Sequence, residues 1–310
     1  MAKNIPINSE DYIVPLNMNG LRGRMLNIPA KNNKKRNILL IYGHHASLER
    51  MFGFAEELCR YGTVTMPDLP GFGGMESFYK IGEKPTLDNL ADYLAAFVKM
   101  RYKRRKVTII GMSFGFVVAT RMLQRNPELV GRVNTIISLV GFAHKEDFKF
   151  TKSNYLLMRY GASFFSNRLP AWFAKNFVLR GIFIKATYRL LADKHSKLKD
   201  ADREEQKRRI DFEVHLWKCN DIRTYMDTTV TMLTVDLCKN RVDLPLYHVS
   251  VKQDRYFDKH IVEQHLKVVY KKVTIFPTTL LNHAPTVVAN ASDAAPFINT
   301  KMRRLLSRPV

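Results

Sequence analysis

Two kinds of hydrophobic pattern alternate through the first half of the chain. From Asn37 the run NILLIYG is almost continuously apolar and ends in Gly, the mark of a strand buried on both faces of a parallel sheet. Leu48 to Tyr61 reads as a helix, and TVTMPDLPGFGG reads as a strand over Thr63 to Met66 that runs into a turn rich in Pro and Gly. Leu90, Leu94 and Val98 recur at helical spacing and predict an amphipathic helix over Asp88 to Met100. The basic linker RYKRRK leads into the strand VTIIG, then a helix from Phe114 to Gln124 that stops before Pro127, then the strand VNTIISLVG. Strands separated by helices with short Gly or Pro turns build βαβ units, so the pattern predicts an α/β chain with a mostly parallel central sheet flanked by helices.

The alternation stops after Phe142, and the chain then reads as helices without a convincing strand until LPLYHVSVKQD. A helix around His260 to Tyr270, the strand KVTIFP and a last helix near Ala294 to Leu306 follow. The expected organisation is therefore a core in two parts, 1–142 and 241–310, with a helical cap inserted over 143–240.

Composition narrows the class. Of 310 residues, 46% are hydrophobic and 25% charged, so the chain can bury a sizeable core and is neither disordered nor collagen-like. Fifty Lys and Arg against 28 Asp and Glu leave a formal charge of +22. Such a field draws nucleic acid, anionic lipid and acidic metabolites alike, and equally fits a lysine-rich chain with no such partner. No zinc-finger, RRM-like or basic-zipper pattern accompanies the charge, so specific nucleic-acid binding is not expected. Cys59, Cys219 and Cys238 form no C-x-x-C pair, which signals neither a disulfide framework nor a zinc site. The N-terminal stretch lacks a secretory pattern and no apolar run nears the roughly 20 residues of a membrane span, so a cytoplasmic protein, peripheral to membranes at most, is expected.

Candidate chemistry begins at Gly111-Met112-Ser113-Phe114-Gly115, a G-x-S-x-G pentapeptide between a predicted strand and a predicted helix. That spacing suits a sharp turn in which Ser113 holds a strained backbone and its neighbours must be small. The start of the following helix favours developing negative charge beside it. Gly43-His44-His45-Ala46 follows the first strong strand, and Asp68-Leu69-Pro70-Gly71-Phe72-Gly73 follows the next. In this order the three motifs resemble those of the α/β-hydrolase superfamily, over about Asn37 to Phe142 and Pro245 to Val288. The G-H-H-A segment is similar to the family's H-G-x loop, with Tyr42 where the family usually has His. The resemblance implies Ser113 as nucleophile, with the backbone N–H groups of His44 and Phe114 as the oxyanion hole.

A serine hydroxyl needs a base to accept its proton, and the base needs an orienting carboxylate. Nine histidines are available. His283, in NHAPT after the predicted strand Val273 to Phe276, holds the position the resemblance assigns to the base, with Asn282 where the family has Gly. Pro245 is expected to open the penultimate strand, and Asp254, nine residues on, matches the family's triad acid, with Asp258 as its competitor. His44 and His45 lack the carboxylate or cysteine pattern of a metal site. No metal and no cofactor is expected.

From Thr151 to Ala192 there is no acidic residue, while Lys152, Arg159, Arg168, Lys175, Arg180, Lys185 and Arg189 punctuate an aromatic and aliphatic text. As a cap, these helices would present an apolar lining to a pocket and a basic outer face, or their aromatics would pack the cap onto the core. A basic amphipathic surface also suits an anionic membrane. The block supplies no carboxylate for a substrate's ammonium group, which disfavours a peptidase, although Glu204, Glu205 and Glu213 follow it.

The leading expectation is hydrolysis of a small-molecule carboxylic ester with an apolar acyl or aromatic group through an acyl-Ser113 intermediate. Acyl transfer and carbon–carbon bond hydrolysis use the same triad, and a non-catalytic ligand-binding module uses the same fold. Family members that open epoxides or remove halide carry an aspartate at the nucleophile position, where this chain has Ser113.

Overall fold

The computed structural model describes residues 8–31, 34–190, 203–252, 254–278 and 291–309. Eight strands form one sheet in the order β1-β2-β4-β3-β5-β6-β7-β8. These are β1 (Ile13–Met18), β2 (Leu21–Ile28), β3 (Asn37–Ile41), β4 (Thr63–Pro67), β5 (Val107–Met112), β6 (Val133–Leu139), β7 (Val242–Ser250) and β8 (Tyr270–Pro277). From β4 to β8 every pairing is parallel, while β1 and β2 add antiparallel.

The central strands show why the continuous apolar runs mattered. Every residue of β5 and all but the first of β3 are buried, because helices cover both faces of the sheet. Those covering helices are α1 (Phe52–Leu58), α2 (Leu87–Tyr102), α3 (Phe114–Arg125), α9 (Lys259–Val269), α10 (Ala291–Ala294) and α11 (Thr300–Ser307). Helix α2 starts where Thr86 accepts the Asn89 N–H at 3.1 Å. It lies beside α3, to which Asp88 and Asp92 are tied by Arg121 and Arg125.

Several expected boundaries shift for local reasons. Strand β7 begins at Val242, not at Pro245, and the pairing register with β8 slips between those two residues, because proline has no N–H for the ladder. The expected single C-terminal helix is broken: Pro296 sits in a 3-10 turn, Ala295–Phe297, and Asn299 then caps α11 afresh by accepting the Met302 N–H. The hairpin of β1 and β2 turns through Asn19-Gly20, both with positive φ, the geometry that Asn-Gly favours.

Between β6 and β7 the described residues form five helices: α4 (Lys152–Phe165), α5 (Arg168–Phe173) extended by a π turn, α6 (Gly181–Leu190), α7 (Arg203–Cys219) and α8 (Ile222–Thr234). Their fastening point is the turn after β4. Asp221 N–H donates to the Gly71 carbonyl at 2.7 Å, Gly74 N–H to that of Cys219 at 3.0 Å, and Gly73 N–H to Asn220 Oδ1 at 2.8 Å. Gly71, at φ +85, leaves no room for a Cβ, which would lie within 2.6 Å of three Thr224 side-chain atoms. The D-x-x-G-x-G motif thus locks the corner between α7 and α8 onto the sheet.

Most aromatic residues of α4 to α6 do not pack inward as expected, Tyr155 and Tyr188 being the exceptions. Tyr160, Phe164, Trp172, Phe173, Phe177 and Phe183 are exposed. The inward positions belong to Ala162, Ala171, Ala174 and Ile184, small or slender side chains that let the helices lie close to their neighbours and leave the rings outside.

The approach of α3 to the end of β3 is among the tightest backbone contacts of the described residues. A Cβ on Gly115 would lie 2.3 Å from the Tyr42 carbonyl oxygen and 2.5 Å from that of Ile41. Backbone cannot yield as a flexible side chain does, so Gly115→Ala is expected to cost about 3 kcal/mol. Urea unfolding of the variant should show the midpoint fall accordingly, and an unchanged midpoint would refute this account of the contact.

Candidate active site

Ser113 stands between β5 and α3 with φ 47° and ψ −118°. A non-glycine residue there is strained, and the surrounding contacts hold it. Its N–H donates to the Leu139 carbonyl at 2.9 Å, and its own carbonyl accepts from Phe116 N at 3.0 Å. Gly111 makes the turn possible, since a Cβ would lie 2.5 Å from the Phe116 Cα. Gly43 presses on the serine itself, its missing Cβ falling 3.3 Å from the Ser113 Cβ. The peptide that joins Gly43 to His44 is therefore beside Ser113. Among the described residues, neither the His44 nor the Phe114 backbone N–H donates to a protein acceptor.

The His44 ring is a strut. It lies among Phe72, Phe114 and Tyr225, with the Tyr225 centroid 4.3 Å away. Its Nε2 meets the Tyr225 carbonyl at 3.1 Å and Thr228 Oγ1 at 2.9 Å, both on α8. A carbonyl only accepts, so Nε2 carries the proton. Burial, with neighbouring His45 adding to it, brings its pKa down to about 3 and keeps the ring neutral. His45, at φ 53°, is held differently: its Nε2 lies 3.4 Å from Glu213 Oε2 on α7, its ring packs on Trp217, and its carbonyl accepts from Arg50 at 2.6 Å. The helical insert thus grips the loop that carries the His44 N–H. Glu213, buried here, gave no sign in the sequence of its link to His45.

Tyr42 also has its own work. Its hydroxyl donates to Asp68 Oδ1 at 2.8 Å and accepts from Leu69 N at 2.9 Å, while Asp68 pairs with Arg24. Gly73, at φ +61°, lies directly on that carboxylate, where a Cβ would fall 1.9 Å from Oδ1. Tyr42 therefore bolts the loop after β3 to the turn after β4.

Asp254 and Asp258 lie beyond the end of β7 in different settings. Asp258 is the N-cap of α9, its Oδ1 accepting from His260 N and Ile261 N. Asp254 is buried, with Oδ1 accepting from Tyr256 N at 2.8 Å and Phe257 N at 3.2 Å. It shares a small cavity with Val140, Gly141, His248, Ser250 and Phe257. Val140, β-branched yet at φ 47°, is an outlier that no sequence motif announced. Because β5 and β7 run parallel in one sheet, Ser113 and Asp254 both follow carboxyl ends of strands, on the same edge. His283 lies outside the described residues.

One group of possible metal ligands forms elsewhere: His144, Glu146 and His265 bring donor atoms within 4.8 Å of one another. His144 Nδ1 accepts the Glu146 N–H, which leaves its proton on Nε2, and His265 Nδ1 meets Asp147 Oδ1 at 2.6 Å. These bonds make the group the cap of a short 3-10 turn, Lys145–Asp147. Asp147 in turn accepts from Ala143 N, and its carbonyl from Asp258 N, so the turn holds the loop bearing Asp254.

No protein-family model and no curated protein matches the sequence. Solved structures do match in shape. The chain has the α/β-hydrolase fold. A thermophilic esterase from Thermogutta terrifontis superposes with a TM-score of 0.61 at 16% identity, covering 96% of this chain and 99% of the esterase. The enol-lactonase from Burkholderia xenovorans gives 0.65 at 12% identity, over 94% and 99%. The epoxide hydrolase CorEH gives 0.65 at 16%, over 95% and 97%. Identities this low establish the α/β-hydrolase fold and leave the chemistry to the residues.

His248, buried on β7 and bonded to Ser138 Oγ at 2.9 Å, has its pKa brought down by burial to about 4, with Asp254 opposing. A histidine whose folded pKa lies below its unfolded value supports the fold fully above that unfolded value, about 6.5, and the support is lost as pH falls toward the folded one. By pH 4 His248 should have cost roughly 3 kcal/mol, and His44, whose folded pKa is lower still, at least as much. Melting temperatures should thus fall between pH 6.5 and 5, and His248→Gln should flatten the decline; a flat wild-type profile there would contradict the buried neutral rings.

Proposed function

We propose that this chain is a serine hydrolase that cleaves a carboxylic ester carrying an apolar acyl or aromatic group. The observation that carries the reading is the backbone at Ser113, strained at positive φ and pressed by Gly43, with the His44 and Phe114 N–H groups beside it and donating to no acceptor among the described residues. In this reading Ser113 Oγ attacks the ester carbonyl carbon while His283 takes the hydroxyl proton. The two N–H groups stabilise the resulting oxyanion. Collapse breaks the ester bond, the alcohol leaves with the proton from His283, and an acyl-Ser113 remains. Water, deprotonated by the same imidazole, then releases the carboxylic acid and restores the serine.

Asp254 is the better candidate than Asp258 to orient His283. Its burial and its two backbone donors fix the carboxylate, whereas Asp258 spends an oxygen on capping α9. A serine in place of an aspartate speaks against epoxide opening of the kind named for one structural neighbour.

A fluorophosphonate probe should label the wild type and not Ser113→Ala; equal labelling would overturn the assignment. Against p-nitrophenyl esters of graded chain length, Asp254→Asn should lower kcat on the order of 10⁴-fold, and His283→Ala about as severely as Ser113→Ala. Asp258→Asn should stay within a few fold of wild type, and a severe loss there with a mild one at Asp254 would reverse the roles of the two carboxylates.

A further inference from the structure

Among the described residues, eleven of the fourteen exposed large apolar side chains fall between Leu157 and Phe183. They are arranged by helical period. On α4, Leu157, Tyr160 and Phe164 stand at i, i+3 and i+7, one stripe, opposite Ala162 and Tyr155, which face α8, the Tyr155 hydroxyl donating to the Leu233 carbonyl. On α5 the exposed stripe is Leu169, Trp172 and Phe173, with Ala171 buried; on α6 it is Ile182 and Phe183, with Ile184 buried. Leu169 is 78% and Ile182 80% exposed. All three helices are amphipathic, yet each turns its bulkiest apolar side chains outward. Soluble surfaces seldom carry so many together without a partner.

The charge around these stripes identifies the partner. Lys152, Arg159, Arg168, Lys175 and Arg180 are exposed among them, none is in an ion pair with a described residue, and no carboxylate occurs from 151 to 192. A second copy would place this face against itself, because a two-fold interface pairs identical patches, and would oppose cation to cation with no anion between. An anionic bilayer offers phosphate to the basic groups and hydrocarbon to the rings and aliphatic chains, which is the composition of a helix lying in a membrane interface. No helix of the described residues is long and apolar enough to cross a membrane, so the contact would be with one leaflet.

We propose that the outward face of α4 to α6 is a membrane-docking surface that seats its apolar stripes in an anionic lipid leaflet. The docking does not depend on the catalytic reading, since Ser113 takes no part in it. It does bear on that reading, because an enzyme seated so meets esters that partition into lipid.

The test uses the full chain with vesicles of phosphatidylcholine alone or mixed with phosphatidylglycerol. Flotation should recover the protein with the mixed vesicles at low salt, and recovery should fall as salt screens the headgroups. Emission of Trp172, which is 58% exposed, should shift to the blue and be quenched by a bilayer-embedded quencher. That shift should vanish in Trp172→Phe. Each basic residue near such a surface raises partitioning about fivefold, so replacing Arg159, Lys175 and Arg180 by Ser should weaken binding on the order of a hundredfold. Leu169→Ser with Ile182→Ser should abolish the Trp172 shift while circular dichroism stays unchanged, both positions being at the surface. Absence of flotation at low salt, or equal binding to neutral and mixed vesicles, would overturn the proposal. So would dimerisation, or binding to an acidic protein, that buries Trp172 in place of lipid. Labelling of Ser113 by fluorophosphonate reads the catalytic assignment separately, so either may fail while the other stands.

Discussion

The candidate site rests on backbone brought closer to backbone than any side chain would permit. Gly115 lies against the carbonyls of Ile41 and Tyr42, Gly111 against Phe116, and Gly43 against Ser113. At Gly115 and Gly111 the contact removes the space a Cβ would need, at Gly43 it narrows that space, and together they draw the end of β3, the end of β5 and the start of α3 to one point. The strain at Ser113 is a consequence. With α3 fixed below and β5 fixed behind, the chain between them must turn within one residue, and only a left-handed backbone does so. Here the glycines are not ornaments of a motif but the reason that a serine and two peptide N–H groups can share a corner.

This constraint explains what could be read from the sequence. G-x-S-x-G states a local geometry, because its glycines are required by contacts within a strand-turn-helix unit, and the unit forms where the apolar run and the helical period meet. The parallel strands were legible for a similar reason. Residues of β3 and β5 are buried on both faces, so apolar character is continuous and does not depend on knowing the neighbours. The antiparallel hairpin of β1 and β2 has no such clear pattern, although Asn19-Gly20 marks its turn, because its half-exposed strands mix buried and exposed positions irregularly. Asp258 shows the limit of motif reading differently: two carboxylates four residues apart look alike in sequence, and only the helix start at Lys259 makes one of them a cap.

The inserted helices were the hardest to read. A helical period says that one face differs from the other, but not which face turns inward. In α4 to α6 the usual inference, the largest apolar side chains inside, fails because Ala162, Ala171, Ala174 and Ile184 hold the inner positions. Close packing there depends on what lies across the gap, namely Tyr155 reaching the Leu233 carbonyl and Arg223 reaching that of Ser166. No local pattern encodes those partners. The same is true of Glu213, whose burial follows from the position of His45 rather than from anything in its own neighbourhood.

These helices therefore have two environments to satisfy. Their inner side is polar where it meets the core: His44 bonds to α8, His45 lies by Glu213, and the corner of α7 and α8 hydrogen-bonds to the turn at Gly71 to Gly74. Directional bonds of this kind hold a loop in one arrangement, which an apolar contact of similar area would not do, since dispersion and burial are indifferent to small rotations. The backbone N–H of His44 lies on the loop so held. The outer side, by contrast, carries the non-directional surface, rings and aliphatic chains set among cations that pair with no described carboxylate. A fold that spends its oriented bonds inward and leaves its apolar area outward keeps the geometry around Ser113 independent of what covers the outer face. A lipid leaflet suits such a surface because it too imposes no register, and seating on it need not disturb a single hydrogen bond of the site.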